Sequence, residues 1–307
     1  MPQPLHRPSM PLPVRLRAAG LAVLMGAPGA ALAGAEDTLA RIQRTQVVTI
    51  GHRAESVPLS YAVGDRVMGY SVDICRQLAA AIAQELGLKQ WRIAYRQVSS
   101  ANRFDAVERG EIDLECGSTT NTAARRERVA FTIPHFIASS RLLVRSDRPH
   151  ERIEDLNGAT VASTAGTTNV GSLAREAVLK GLHLKVIEAA DHAQGVAWVL
   201  SGRAEAFAMD DVLLYGLRAS APRPDALKVI GKPITIEPYA IAFQRGNARL
   251  KRVADATLRQ LIASRELHRL YERWFVEPIP PNNVRLDMRM PHLLADSLKY
   301  PTDYVPR

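Results

Sequence analysis

Six short turns carry the residues whose types could do chemistry: His52-Arg53, Ser100-Ala101-Asn102-Arg103, Gly117-Ser118-Thr119-Thr120 with Arg125 after it, Ala165-Gly166-Thr167-Thr168, Asp191-His192 and Met209-Asp210-Asp211. Gly-Ser-Thr-Thr at a helix start offers backbone N–H groups and hydroxyls to an anion. An arginine in the same helical stretch adds a bidentate fork for a carboxylate, so Ser118, Thr120 and Arg125 form one candidate anion clamp. Thr168 repeats the design, and Asp210 at the end of an apolar strand offers a negative charge to an ammonium. Each turn alone has a plainer reading. Ser and Thr before a helix are ordinary caps, a lone Arg is ordinarily solvated, Asp211 can cap the next helix, and a single His at a helix start is commonly a cap or a surface residue.

The turns acquire meaning from the elements that must position them. Short β-branched runs alternate with helical stretches in two series. The first predicts strands over 47–51, 91–98 and 112–116, with helices over 71–85 and 102–109. The second predicts strands over 159–163, 184–189 and 206–209, with helices over 170–180, 193–201 and 212–219. Helices over 248–263 and 265–275 follow, then a tail expected to be irregular because Pro278, Pro280 and Pro281 open it. Such alternation argues an α/β fold with mostly parallel sheets. Extended segments near 139–143 and 237–240 lie between the series and are candidate hinge crossovers. Lobe one is then 34–140 with a return over 238–281, lobe two is 141–237, and 282–307 is a tail. Ligands of open α/β sheets bind at the carboxyl ends of strands, so a cleft between two lobes is the expected site.

The first 33 residues read as a secretory signal peptide. Arg7, Arg15 and Arg17 precede an apolar stretch ending in Ala31-Leu32-Ala33, with no acid among them. No later run approaches the roughly 18 apolar residues of a spanning helix. The chain of 307 residues carries a formal charge of +9, spread without a Lys/Arg run of five or more, which argues against a nucleic-acid partner and suits attraction of an anionic solute. Cys75 and Cys116 are the two cysteines. An oxidising compartment permits a bridge, but Cys75 falls on the apolar stripe Val72, Cys75, Ala79, Ile82, so a buried free thiol is the expected state. The histidines are scattered and no metal-ligand cluster stands out.

Several stretches, in order and covering nearly the whole chain after residue 33, resemble one family: GHRAESVPLSY at 51–61, GYS at 69–71, Asn102-Arg103, DLECGSTTN at 113–121, RLL at 141–143, GTT at 166–168, Asp191-His192, MDDVLL at 209–214, GKP at 231–233, Trp274-Phe275 and PIPP at 278–281. The pattern is similar to the periplasmic amino-acid-binding proteins of ABC importers, solute-binding protein family 3, and within it to the glutamate/aspartate-binding group. Leu59 departs from the pattern, where an aromatic is usual, and 240–242 lacks a cysteine that relatives carry.

The resemblance implies a two-lobed periplasmic binding protein fold of type II, no cofactor, a periplasmic location and a monomer. The implied partners are L-glutamate or L-aspartate and the permease subunits of an ABC transporter with their cytoplasmic ATPase. It also implies a division of labour. Ser118, Thr120 and Arg125, with Thr168, would hold the α-carboxylate, and Asp210 would take the α-ammonium. Arg53, Arg103 and His192, with Ser100 nearby, would surround the side-chain carboxylate at the opposite pole. Buried cations left unpaired are costly, so glutamine would be disfavoured by a few kcal/mol, about 10²-fold. Protonation of His192 would raise affinity as pH falls through ~6.5. Capture would proceed by hinge closure, with the second lobe contributing the differential contacts. The same fold also implies a rival, a cyclohexadienyl dehydratase-like enzyme using Glu115 or Asp210 as general acid, but no nucleophile–base pair supports it. A sensory module would need a further domain after the fold, and none is expected. A binder of glutamine or another neutral amino acid stays within the class, whereas a basic ligand would need carboxylates where Arg53 and Arg103 stand.

Overall fold

Two mixed sheets organise the residues described by the computed structural model, 37–304. The expected signal peptide and residues 305–307 lie outside them. Among the described residues, no helix is long and apolar enough to cross a membrane.

The first lobe's sheet has the order Arg92–Gln97, Val47–His52, Leu114–Glu115, Ala242–Phe243, Ala130–Phe131. Its first three strands are parallel, with Ile50 opposite Leu114, and the other two pair antiparallel. The second lobe's sheet runs Lys185–Ala189, Thr160–Thr164, Ala206–Asp210, Phe136–Arg145, Leu227–Ile230. Again the first three are parallel and the rest antiparallel. Parallel neighbours arise where a helix returns the chain to the same edge. The antiparallel strands are those entering or leaving a lobe. Phe136–Arg145 begins in the crossover and ends in the second sheet, while Ile236–Tyr239 brings the chain back, pairing Ile236 with Ser139 and Tyr239 with Phe136.

Helix Tyr70–Glu85 buries Ile74, Leu78 and Ile82, spaced by four, against the first sheet and helix Ala248–Ala263, which supplies Leu250, Ala254 and Leu258. Each such Leu or Ile contributes roughly 1.5–3 kcal/mol by leaving water. An aromatic cluster backs the crossovers: Phe136 stacks on Tyr239 at 5.8 Å and on Phe275 at 5.1 Å, and Tyr271 stacks on Phe275 at 4.3 Å.

Three local outcomes depart from expectation. Cys75 and Cys116 form a disulfide with Cα atoms 6.2 Å apart, which overturns the buried free thiol. Cys75 is indeed on the buried stripe, but that stripe faces the carboxyl end of strand Leu114–Glu115. The tail contains a helix, His292–Lys299, because Leu294 and Leu298 share one face and bury in the main core cluster, beside strand Phe136–Arg145; Pro278, Pro280 and Pro281 all precede it. A small antiparallel sheet of Glu55–Ser56, Ser60–Val63 and Arg66–Met68 was not foreseen, its strands being too short to show a period.

Candidate binding site

Six strand ends deliver the candidate residues. In the first lobe, adjacent strands Arg92–Gln97, Val47–His52 and Leu114–Glu115 run out toward Ser100, Arg53 and Ser118. In the second, Thr160–Thr164, Lys185–Ala189 and Ala206–Asp210 lead to Thr168, His192 and Asp210. Arg103 opens helix Arg103–Glu108, and Arg125 lies in the short helix Ala123–Arg126 capped by Thr122. A narrow, nearly filled cavity of about 10 Å³ lies between the lobes, and Arg53, Ser100, Arg103, Ser118, Thr120, Arg125, Thr168, His192 and Asp210 all line it, together with Thr167, Met209 and Leu213.

The three arginines form one contiguous wall. Arg53 donates to the Ser100 hydroxyl and Arg103 to the Ser100 carbonyl. Arg103 and Arg125 then converge on the Gly166 carbonyl of the second lobe, at 3.2 and 3.3 Å. Arg125 also donates to the Thr120 carbonyl at 2.9 Å. Phe104 carries Arg103 on its face at 4.4 Å and Arg125 at 5.3 Å, a cation–π contact that holds both cations without neutralising them. The expected separation of a distal cage from a carboxylate clamp is therefore not a separation of cations: Arg103 and Arg125 are neighbours. Burial pulls all three guanidiniums below their usual range, Arg103 the furthest because Arg125 and Arg53 repel it. Guanidiniums remain protonated nonetheless, and the buried Glu115 carboxylate, which acts on all three, offsets only part of that charge, so the wall keeps an excess of positive charge.

The opposite side is anionic. Asp210 is pushed up to about 7 by burial and by Glu237, against the stabilising bonds of Tyr239 and Asn169. Thr167 turns its hydroxyl to the Thr164 carbonyl at 2.7 Å rather than capping helix Thr168–Leu179. Gly166 has φ +75°, and a Cβ there would sit 2.7 Å from the Ser100 carbonyl oxygen of the other lobe, so this turn requires glycine for both reasons.

His192 pairs through Nδ1 with the Thr164 hydroxyl at 2.8 Å, and its buried Nε2 has no protein partner among the described residues. Burial, then Arg53 and Arg103, hold its pKa at about 3. This corrects the expected titration near 6.5: burial and two neighbouring arginines disfavour a third positive charge there. In the neutral tautomer in which the Thr164 hydroxyl donates to Nδ1, the ring carries its proton on Nε2 and can donate to an anion.

Sequence reasoning missed Glu55, Asn169, Glu237 and Tyr239. Glu237 and Tyr239 sit on a crossover, where no strand-to-helix turn signals them. Glu55 falls inside the quoted stretch 51–61, but nothing in its spacing points across a cleft.

Residues 48–277 match the model of the bacterial extracellular solute-binding proteins, family 3. The chain belongs to that family. This solute-binding protein is 37% identical to the L-glutamate/L-aspartate-binding protein of Pseudomonas aeruginosa, over 95% of this chain and 97% of that one. It is 33% identical to the glutamate/aspartate import solute-binding protein of Escherichia coli, over 94% and 99%. Among solved structures, an ancestral amino-acid-binding protein described as a precursor of cyclohexadienyl dehydratase superposes with a TM-score of 0.66 at 26% identity, covering 78% of this chain and 99% of that one. A variant of the arginine-binding protein of T. maritima gives 0.67 at 24% identity, over 78% and 99%, which shows the fold alone. The architecture is that of the type II periplasmic binding proteins.

Proposed function

We propose that this solute-binding protein captures L-glutamate or L-aspartate in the periplasm by closure of its two lobes and hands it, as a monomer, to the permease of an ABC importer. The observation that carries the reading is the wall of three guanidiniums, buried Arg53 and Arg103 with half-buried Arg125, facing Asp210 across one cavity. A wall with that much positive charge favours a solute bearing two carboxylates, and a single ammonium matches Asp210. The names of the relatives point the same way. Ser118, Thr120 and Arg125, with Thr168, would hold the α-carboxylate, and Arg53, Ser100, Arg103 and His192 the side-chain carboxylate. Both carboxylates would then lie along one wall rather than at opposite ends. Titration calorimetry against a panel of amino acids tests this. Binding of glutamate or aspartate at about micromolar Kd, near −8 kcal/mol, with glutamine at least tenfold weaker, is expected. Preference for a neutral or basic amino acid would overturn it. Adding prephenate and arogenate to the panel, with product analysis, tests the dehydratase alternative.

A further inference from the structure

A zwitterionic solute needs a fixed anion opposite its ammonium, and the anion here is held from outside the cavity. Asn169 Nδ2 donates to Asp210 Oδ1 at 2.9 Å, and the Tyr239 hydroxyl donates to Oδ2. Asn169 is itself held by the Ser140 hydroxyl. Tyr239 ends the returning crossover strand Ile236–Tyr239. Two residues earlier, on the same face of that strand, Glu237 accepts from the Thr168 hydroxyl at 2.9 Å and from the Thr235 hydroxyl at 2.6 Å. Glu237 and Tyr239 are 3% and 0% exposed, and neither lines the cavity. One crossover strand thus grips the two second-lobe groups, Asp210 and Thr168, that the proposed function places at the amino-acid head group.

We propose that Glu237 and Tyr239 are positioning residues for that head group: the crossover strand orients Asp210 and Thr168, and the Glu237 charge behind them makes the site demand a cation. The inference rests on the proposed function. The charged and titratable groups around Asp210 are Glu237 and Tyr239 on the crossover, Asp211 on its own helix, and Arg103 and Arg125 on the first lobe, which feel its charge. Because Asp210 is pushed up to about 7 by burial and then by Glu237, an arriving ammonium must displace a proton below that pH. Affinity then weakens as pH falls, tending to about tenfold per unit.

The test is calorimetry of the full chain with L-glutamate from pH 5.5 to 8.5, for the wild type, Glu237→Gln and Tyr239→Phe, in two buffers of different ionisation enthalpy to count released protons. Removing the Glu237 charge should move the onset of weakening to lower pH. Removing the Tyr239 donor should move it to higher pH and weaken binding at every pH. A merely structural role would scale Kd equally across the range, so three parallel profiles, or a shift of Glu237→Gln to higher pH, overturn the proposal. Should Glu237→Gln fail to fold, the Tyr239→Phe profile decides. A wild type that binds no acidic amino acid at any pH would sink the proposed function instead.

Discussion

Glu55 belongs to the first lobe and His192 to the second, and the Glu55 carboxylate accepts the backbone N–H of His192 at 2.9 Å and of Ala193 at 3.2 Å. Helix His192–Ser201 is capped at Asp191, which accepts from Gln194. Glu55 therefore satisfies two further orphan donors at the positive end of a helix dipole, across the cleft and without lining the cavity.

The Glu55 contact exists only when the lobes meet, so it should govern release rather than selection. Glu55→Ala is expected to weaken glutamate and aspartate alike by about tenfold, the worth of one charge-assisted bond, with the change in the dissociation rate measured by stopped flow. A changed ratio between the two solutes would place Glu55 in solute selection instead.

Arg125 and Arg103 should fail differently. Arg125→Ala removes the donor to both Thr120 and Gly166 and is expected to weaken every amino acid by 100-fold or more, ~3 kcal/mol. Arg103→Gln is expected to lower the glutamate-to-glutamine affinity ratio at least tenfold. Because both guanidiniums meet at one carbonyl, the double variant should lose less than the sum of the singles. Equal loss of glutamate and glutamine in Arg103→Gln would show that the ends of the pocket are assigned backwards.

The pH dependence carries a sign. His192, held at about 3 by burial and the two arginines, is neutral throughout pH 5–8 and adds no attraction on acidification. Asp210, at about 7, loses its charge on acidification. Affinity should therefore fall as pH drops below about 7. His192→Asn should shift the whole profile by a constant factor and leave its shape intact. A profile that flattens in His192→Asn would assign the titration to the histidine.

Reduction of the Cys75–Cys116 bridge should cost stability rather than recognition. It closes a loop of sequence separation 41, which corresponds to about 3–4 kcal/mol in the chain-entropy account. The variant with both cysteines changed to alanine should show that loss in urea unfolding, with glutamate affinity held within about threefold. A much larger affinity change would mean that the bridge also sets the turn after Cys116, where Ser118 lies.

The legible part of this molecule was its strand-to-helix turns. Arg53, Ser118, Thr168 and Asp210 were readable because a parallel α/β sheet presents its strand ends in one cleft, whatever the details of packing. Glu237 and Tyr239 were not, because a crossover strand has no periodic signature and its partners lie in the other lobe. The pairing of Cys75 with Cys116 needed a distance, which no spacing supplies. The titration of His192 was misread because a sequence shows the residue type but not that two buried cations stand beside it.

Gly216 lies in helix Asp211–Ser220, and a Cβ there would come within 2.1 Å of the Val57 carbonyl oxygen on the other lobe. That near-touch lies outside the set of residues lining the cavity. A single methyl group at this place would prop the two halves ajar, so how long a captured nutrient is retained depends on a spot that never meets it. Two members of this family with identical pocket residues could then differ in scavenging power through their bulk at this one seam.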